Sequence, residues 1–117
     1  MKKLIENYWK DMDAAIMGQD KNKITQHFAK DAVYKCRVAN EMLIFPFEEM
    51  AKSCLEYKEI IDKEFKDSID SIDELKDGRW VSVITSSVSK KPYFTLSYFK
   101  FKNEKIVELV EYYGDFE

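Results

Sequence analysis

The sequence is short of residues that interrupt a chain. Its 117 residues include 3 glycines and 2 prolines, widely spaced, which excludes a low-complexity linker. No repeat period is visible either, so residues 1–117 are expected to form a single domain that buries roughly two-thirds of its unfolded surface. Cys36 and Cys54 are the only cysteines, too few for a disulfide framework, and a reduced, cytoplasmic setting is the expectation. His27 is the single histidine. A Cys/Cys/His zinc site would lack both a fourth ligand and a close-spaced pair, so no metal and no cofactor are expected. The formal charge of -3 argues against a nucleic-acid partner, and the lysines alternate with acids, as in Asp62–Lys63–Glu64. No segment reaches the roughly 18 apolar residues that span a bilayer. The start, Met-Lys-Lys-Leu-Ile, resembles a leader for five residues before Glu6, Lys10 and Asp11 interrupt it.

Apolar and aromatic residues are plentiful instead, at 45% and 15% of the chain. Over residues 3–17, Leu4, Ile5, Tyr8, Trp9, Met12 and Ile16 recur at helical spacing, with Gly18 as a stop. Asp20 is placed to cap a second helix over 21–29 that turns Ile24 and Phe28 inward. Residues 32–36 alternate as a strand. Residues 37–46 read as a loop with an extended stretch near 42–45. Pro46 then opens a third helix whose Phe47, Met50, Ala51, Cys54, Tyr57 and Ile61 share one face. From about residue 65 the period becomes two. Strands at 67–76, 79–89, 93–101 and 105–113 are divided by Asp77-Gly78, Lys90-Lys91-Pro92 and Asn103-Glu104. This order predicts an α+β fold: three N-terminal helices packed in the concave face of a curved, mainly antiparallel sheet, a cone-shaped barrel.

Tight turns would set the register. Pairing Lys76 with Arg79, Val88 with Tyr93 and Lys102 with Lys105 aligns Leu75, Trp80, Phe101 and Ile106 on the cavity face. The next row is Asp73, Ser82, Phe99 and Glu108, followed by Ser71, Ile84, Ser97 and Val110, then Ile69, Ser86, Thr95 and Tyr112. The opposite face collects Ile72, Val81, Val83, Phe94, Leu96, Tyr98, Val107, Leu109 and Tyr113. Three helices cover one face only, and so large an apolar surface exceeds what monomers usually expose. A homodimer through the convex face, centred on Val81, Val83, Phe94, Leu96, Tyr98, Val107 and Leu109, is therefore expected.

The segments His27-Phe28-Ala29-Lys30-Asp31-Ala32-Val33-Tyr34, Tyr98 through Leu109, and Tyr112-Tyr113-Gly114-Asp115 resemble the SnoaL-like group of the nuclear-transport-factor-2-like, cystatin-like cone superfamily. The order of elements matches over the whole chain. The resemblance implies a conical cavity between sheet and helices, and dimerisation through the convex face. The ketosteroid-isomerase branch carries a carboxylate base, an oxyanion tyrosine and a third-strand acid. The matching positions here are Cys36, Met12 and Ser97, so that chemistry is not expected. Scytalone-dehydratase-type sites need two histidines. Epoxide-hydrolase-type sites need an Asp–Arg–Asp relay, and the only arginines are Arg37 and Arg79, the latter on a turn. The cyclase branch relies on one acidic base, a role open to Asp73 or Glu108.

Asp73 and Glu108 share a row but stand two strands apart, about 14 Å, too far for a paired-carboxylate mechanism. Each is a candidate lone base, Asp73 provided that no bulge turns it outward. Cys36 and Cys54 are expected to line the cone as small space-filling residues. Tyr34, Tyr57, Trp80 and Tyr112, with Ser82, Ser97 and Thr95, supply polar anchors in an otherwise apolar lining, and Trp9, Met12 and Met50 complete it. Such a wall suits a small, mostly apolar ligand. The alternatives are a lyase or isomerase of the polyketide-cyclase kind, and a protein-interaction module with a filled cone. An open volume of roughly 300 Å³ or more separates ligand binding from the filled cone.

Overall fold

The computed structural model describes residues 1–59, 66–88 and 91–115. Helix α1, Lys2–Gly18, buries Ile5, Tyr8, Trp9, Met12, Ala15 and Ile16, the stripe its spacing predicts. Its left-handed cap falls on Gln19 (φ 54°) rather than Gly18, with the Gln19 amide donating to the Ala15 carbonyl. Helix α2 is shorter than expected, Asn22–Thr25. Strand β1, Phe28–Val38, takes over the remainder, because the Ile106 amide donates to the His27 carbonyl at 2.8 Å and draws the segment into the sheet. Strand β2, Glu41–Phe45, folds back on β1 across a turn where Ala39 adopts φ 55°. Helix α3, Phe47–Leu55, continues as a 3-10 turn over Glu56–Glu59. The expected end of the third helix at Ile61 lies outside the described residues.

Strands β3 (Lys66–Glu74), β4 (Trp80–Val88), β5 (Lys91–Lys102) and β6 (Lys105–Asp115) form the meander. The sheet runs β2-β1-β6-β5-β4-β3, parallel only between β1 and β6. The architecture is α+β, with helices packed on a curved, mainly antiparallel sheet. Tyr8 anchors the helix–sheet contact, its ring meeting those of Trp9, Phe28 and Phe99 edge-on at 5.1 to 5.9 Å.

The register departs from expectation at the first two turns and again within β6. Lys102 pairs with Lys105 and Phe101 with Ile106 as predicted, across a two-residue turn with Asn103 and Glu104 both at positive φ. Beyond Phe101 and Ile106 the register shifts so that Lys100 faces Glu108, leaving Val107 as the extra residue of a bulge. Every later side chain of β6 is thereby reversed. Leu109 turns into the core at 0% exposure, and Tyr113 turns inward, while Glu108, Val110 and Tyr112 turn outward. The β3–β4 connection is a wider loop than two residues, with Leu75 and Arg79 joined by a 2.7 Å bond, which moves β3 by one place. Ile72 therefore pairs with Ser82 on the inner face, and Asp73 pairs with Val81 on the outer face. Strands β4 and β5 meet with Val88 opposite Lys91, two residues from the expected partner. An even shift preserves the faces. The expected turn at Lys90 lies outside the described residues in part.

Candidate functional site

The inner faces of β4, β5 and β6 carry polar residues in a buried row. Ser82 and Ser97 are paired across β4 and β5, and Ser97 is paired in turn with Glu111 on β6. Trp9 donates its indole N–H to Ser82 Oγ at 3.1 Å, joining α1 to the sheet. Glu111 is the centre of the other cluster. Its Oε2 accepts the Ser97 hydroxyl at 2.6 Å, while Oε1 accepts the Tyr34 hydroxyl at 2.8 Å and the Tyr113 hydroxyl at 3.2 Å. Only 4% of Glu111 is exposed. Burial pushes its carboxyl above the ordinary carboxylate range, and the three hydroxyl donors oppose that rise without cancelling it.

The cluster borders two adjoining chambers. The smaller, about 160 Å³, is walled by Trp9, Met12, Ile16, Thr95, Glu111 and residues of its rim. The larger, about 290 Å³, lies between β1 and α3, against Tyr34, Cys36, Phe45 and Met50. Cys54, Tyr57 and Tyr113 wall both. Tyr57 and Tyr113 are 49% and 53% exposed, which puts them at the mouth. Burial, then the Glu111 charge, pushes the phenols of Tyr34 and Tyr113 up, so both stay neutral donors. Burial also pushes the Cys54 thiol up to about 12 and raises Cys36, which makes both poor thiolate sources.

The expected residues divide into several groups. Trp9, Met12, Tyr34, Cys36, Met50, Cys54 and Tyr57 line the chambers. Ser82 and Ser97 lie behind the walls, holding Trp9 and Glu111. Trp80 packs against the core and lines neither chamber. Three expectations need correction, two of them through the β6 bulge. Tyr112 is on the outer face, edge-on to Tyr98 at 5.9 Å, and Tyr113 occupies the inner place. Glu108 is also outward, 3.8 Å from Lys35, and so does not face the cavity. Asp73 is exposed on the outer face, because the wide β3–β4 loop shifts its strand. Strict alternation along β6 hid Glu111. The one available signal was the run of Ser82, Ser86, Thr95 and Ser97 on the inner face, a row of hydroxyls that needs buried acceptors. His27 lies apart from the chambers, 2.8 Å from Asp11. Among the described residues, no group of three or more His, Cys, Asp or Glu is placed to hold a metal ion.

The backbone arrangement matches solved structures over nearly its whole length. A nuclear-transport-factor-2-like protein of unknown function from Burkholderia xenovorans LB400 superposes with a TM-score of 0.68 at 20% identity, covering 99% of this chain and 84% of that one. The chain has the nuclear-transport-factor-2-like fold. Two further structures with this fold bear names that imply activity. One is a provisionally assigned ketosteroid isomerase from Kribbella flavida, with TM-score 0.64, 9% identity and coverage of 98% and 78%. The other is an epoxide hydrolase from M. tuberculosis, with TM-score 0.65, 13% identity and coverage of 95% and 80%. No family model matches the sequence, and no characterised protein matches it by sequence. Within the nuclear-transport-factor-2-like fold, Glu111 supplies the buried carboxyl of this chain's cone. No described helix is long and apolar enough to cross a membrane.

Proposed function

We propose that the chain binds a small, mainly apolar organic molecule in the cone, with Glu111 receiving the molecule's one polar group. The observation that carries this reading is a buried carboxyl held by three hydroxyls on the wall of open, ring-lined chambers. Native interiors rarely keep an acid in an apolar cavity without a task for it. The larger chamber, about 290 Å³, comes up to the roughly 300 Å³ expected of a ligand site, which supports a ligand over a filled interaction module. The named activities of proteins sharing the fold lie in small-molecule chemistry, which agrees in kind.

The test is titration with the neutral fluorophore N-phenyl-1-naphthylamine. Saturable one-to-one binding is expected, weakened at least about tenfold by Cys54→Phe, which thickens the wall common to both chambers. Absence of binding, or an unaffected variant, defeats the reading.

A second reading, acid–base catalysis of the lyase or isomerase kind, is favoured by the raised proton affinity of Glu111 beside the ligand space. It assigns to Glu111 the role that Asp73 and Glu108 are placed too far outside to fill. Loss of turnover in Glu111→Gln with ligand affinity retained is its signature. We also infer a homodimer through the outer face of β4, β5 and β6, where Val81, Val83, Leu96, Tyr98, Val110 and Tyr112 form one surface. Leu109 has no part in that surface.

A further inference from the structure

The charge of the bound molecule can be argued from the cavity walls. The oxygens of Glu111 meet three hydroxyls, from Tyr34 on β1, Ser97 on β5 and Tyr113 on β6. The other groups that face it electrostatically are also uncharged when protonated: Tyr8 on α1, Cys36 on β1, Cys54 on α3 and Tyr57 on the 3-10 turn. The remaining ionisable groups of the walls are a second acid, Glu49, at the larger chamber and a phenol, Tyr93, at the smaller. Among the described residues, no Lys, Arg or His lines either chamber. Four rings border the smaller chamber, those of Trp9, Tyr57, Tyr93 and Tyr113.

This arrangement is one half of an ion pair. A carboxylate accepts hydrogen bonds only, and three O–H donors already hold Glu111 in the geometry that suits its ionised form. Burial works the other way and favours the proton. A cation entering beside the carboxyl would settle the conflict for the ionised form, since a buried charge is tolerated when paired. Indole and phenol rings carry negative π-faces and attract ammonium groups in the same space. A neutral or anionic ligand would use neither feature.

We propose that the smaller chamber receives a monocationic amine, an alkylammonium or trimethylammonium group, seated among Trp9, Tyr57, Tyr93 and Tyr113 and neutralised by Glu111. The larger chamber gives room for the apolar remainder of the same molecule. This assignment rests on the cone being a ligand site, and it has a consequence that a generic apolar pocket lacks. Where Glu111 is protonated in the free protein, the cation must expel one proton to bind. Affinity then climbs about tenfold per pH unit until Glu111 is ionised without help.

Choline and its neutral carbon isostere, 3,3-dimethylbutan-1-ol, separate charge from shape. Calorimetric titrations from about pH 5 to about pH 9, in buffers of different ionisation enthalpy, count the protons released. Choline is expected to bind at least about tenfold tighter than the alcohol at the upper end, with proton release at the lower end. In Glu111→Gln, the advantage of choline over the alcohol and the pH dependence of choline binding are both lost. In Tyr113→Phe, which keeps the ring and removes one donor to the carboxylate, the choline profile moves to higher pH. Equal binding of the two probes, or choline binding without proton release, overturns the cation assignment. Failure of both probes in a protein that still binds N-phenyl-1-naphthylamine overturns it too, and leaves the cavity reading intact. Failure of all three removes both.

Discussion

Glu111 ties stability to pH in a direction opposite to most acids. Its folded-state proton affinity is raised by burial, so between its ordinary value of 4.5 and the raised value the folded chain holds a proton that the unfolded chain has lost. Its contribution is therefore complete below about pH 4.5 and is lost as pH rises through the folded-state value. Denaturant unfolding measured across this range is expected to show a decline for the wild type, and Glu111→Gln is expected to remove Glu111's share of it. Tyr8 makes a second residue-level prediction. Its ring is central to the core, but its buried hydroxyl has no hydrogen-bond partner among the described residues. Tyr8→Phe keeps the ring contacts and removes the unpaired group, so it should stabilise the protein by about 1 kcal/mol in the same assay. A loss of stability would show that the hydroxyl has a use the fold does not reveal.

At the scale of elements, the bulge in β6 decides the site. It places Glu111 and Tyr113 inside and Glu108 and Tyr112 outside, and the alternation of the strand itself allows either arrangement. Deleting Val107 would remove the bulge while leaving Glu108 opposite Lys100 and Leu109 opposite Phe99, so both faces keep their residues. The deletion is expected to keep Leu109 and Glu111 inside and to cost less than about 3 kcal/mol in denaturant unfolding. Loss of the fold in such a variant would show that the bulge also serves the pairing of β6 with β1. The far end of the same strand is held differently. Gly114 lies against the Phe94 ring, and a Cβ there would fall 2.2 Å from Phe94 Cζ. Gly114→Ala should cost about 1–3 kcal/mol through displacement of that ring. Light-scattering mass should fall as well if Phe94 supports the outer face.

At the scale of the molecule, the two faces of one sheet have different duties. The inner face packs α1 and lines the chambers, and the outer face carries the apolar surface inferred to pair with a second copy. Two aspartate substitutions distinguish them. Val83→Asp, on the outer face, should halve the mass in solution while leaving circular dichroism unchanged. Leu109→Asp, at 0% exposure, should unfold the chain by burying an unpaired charge. A wild type already monomeric at high concentration would remove the dimer and leave the cone untouched.

The sequence by itself determined the kinds of elements and their order. The stripe from Ile5 to Ile16, the change of period near residue 65 and the Asn103-Glu104 turn are local signals, each expressed within a few residues of chain. From these follow the α+β class and most of the chamber wall, including Trp9, Met12, Tyr34, Met50 and Cys54. Only tertiary structure decided which acid the cone holds. A bulge is set by the fit of a strand to both of its neighbours, here β1 on one side and β5 on the other, and β6 reads equally well in either register. Parallel pairing with β1, which also shortened the second helix, is a long-range contact with no local signature. Glu111 is inside because the sheet as a whole packs best with Leu109 in the core, and no stretch of chain shorter than the sheet carries that information.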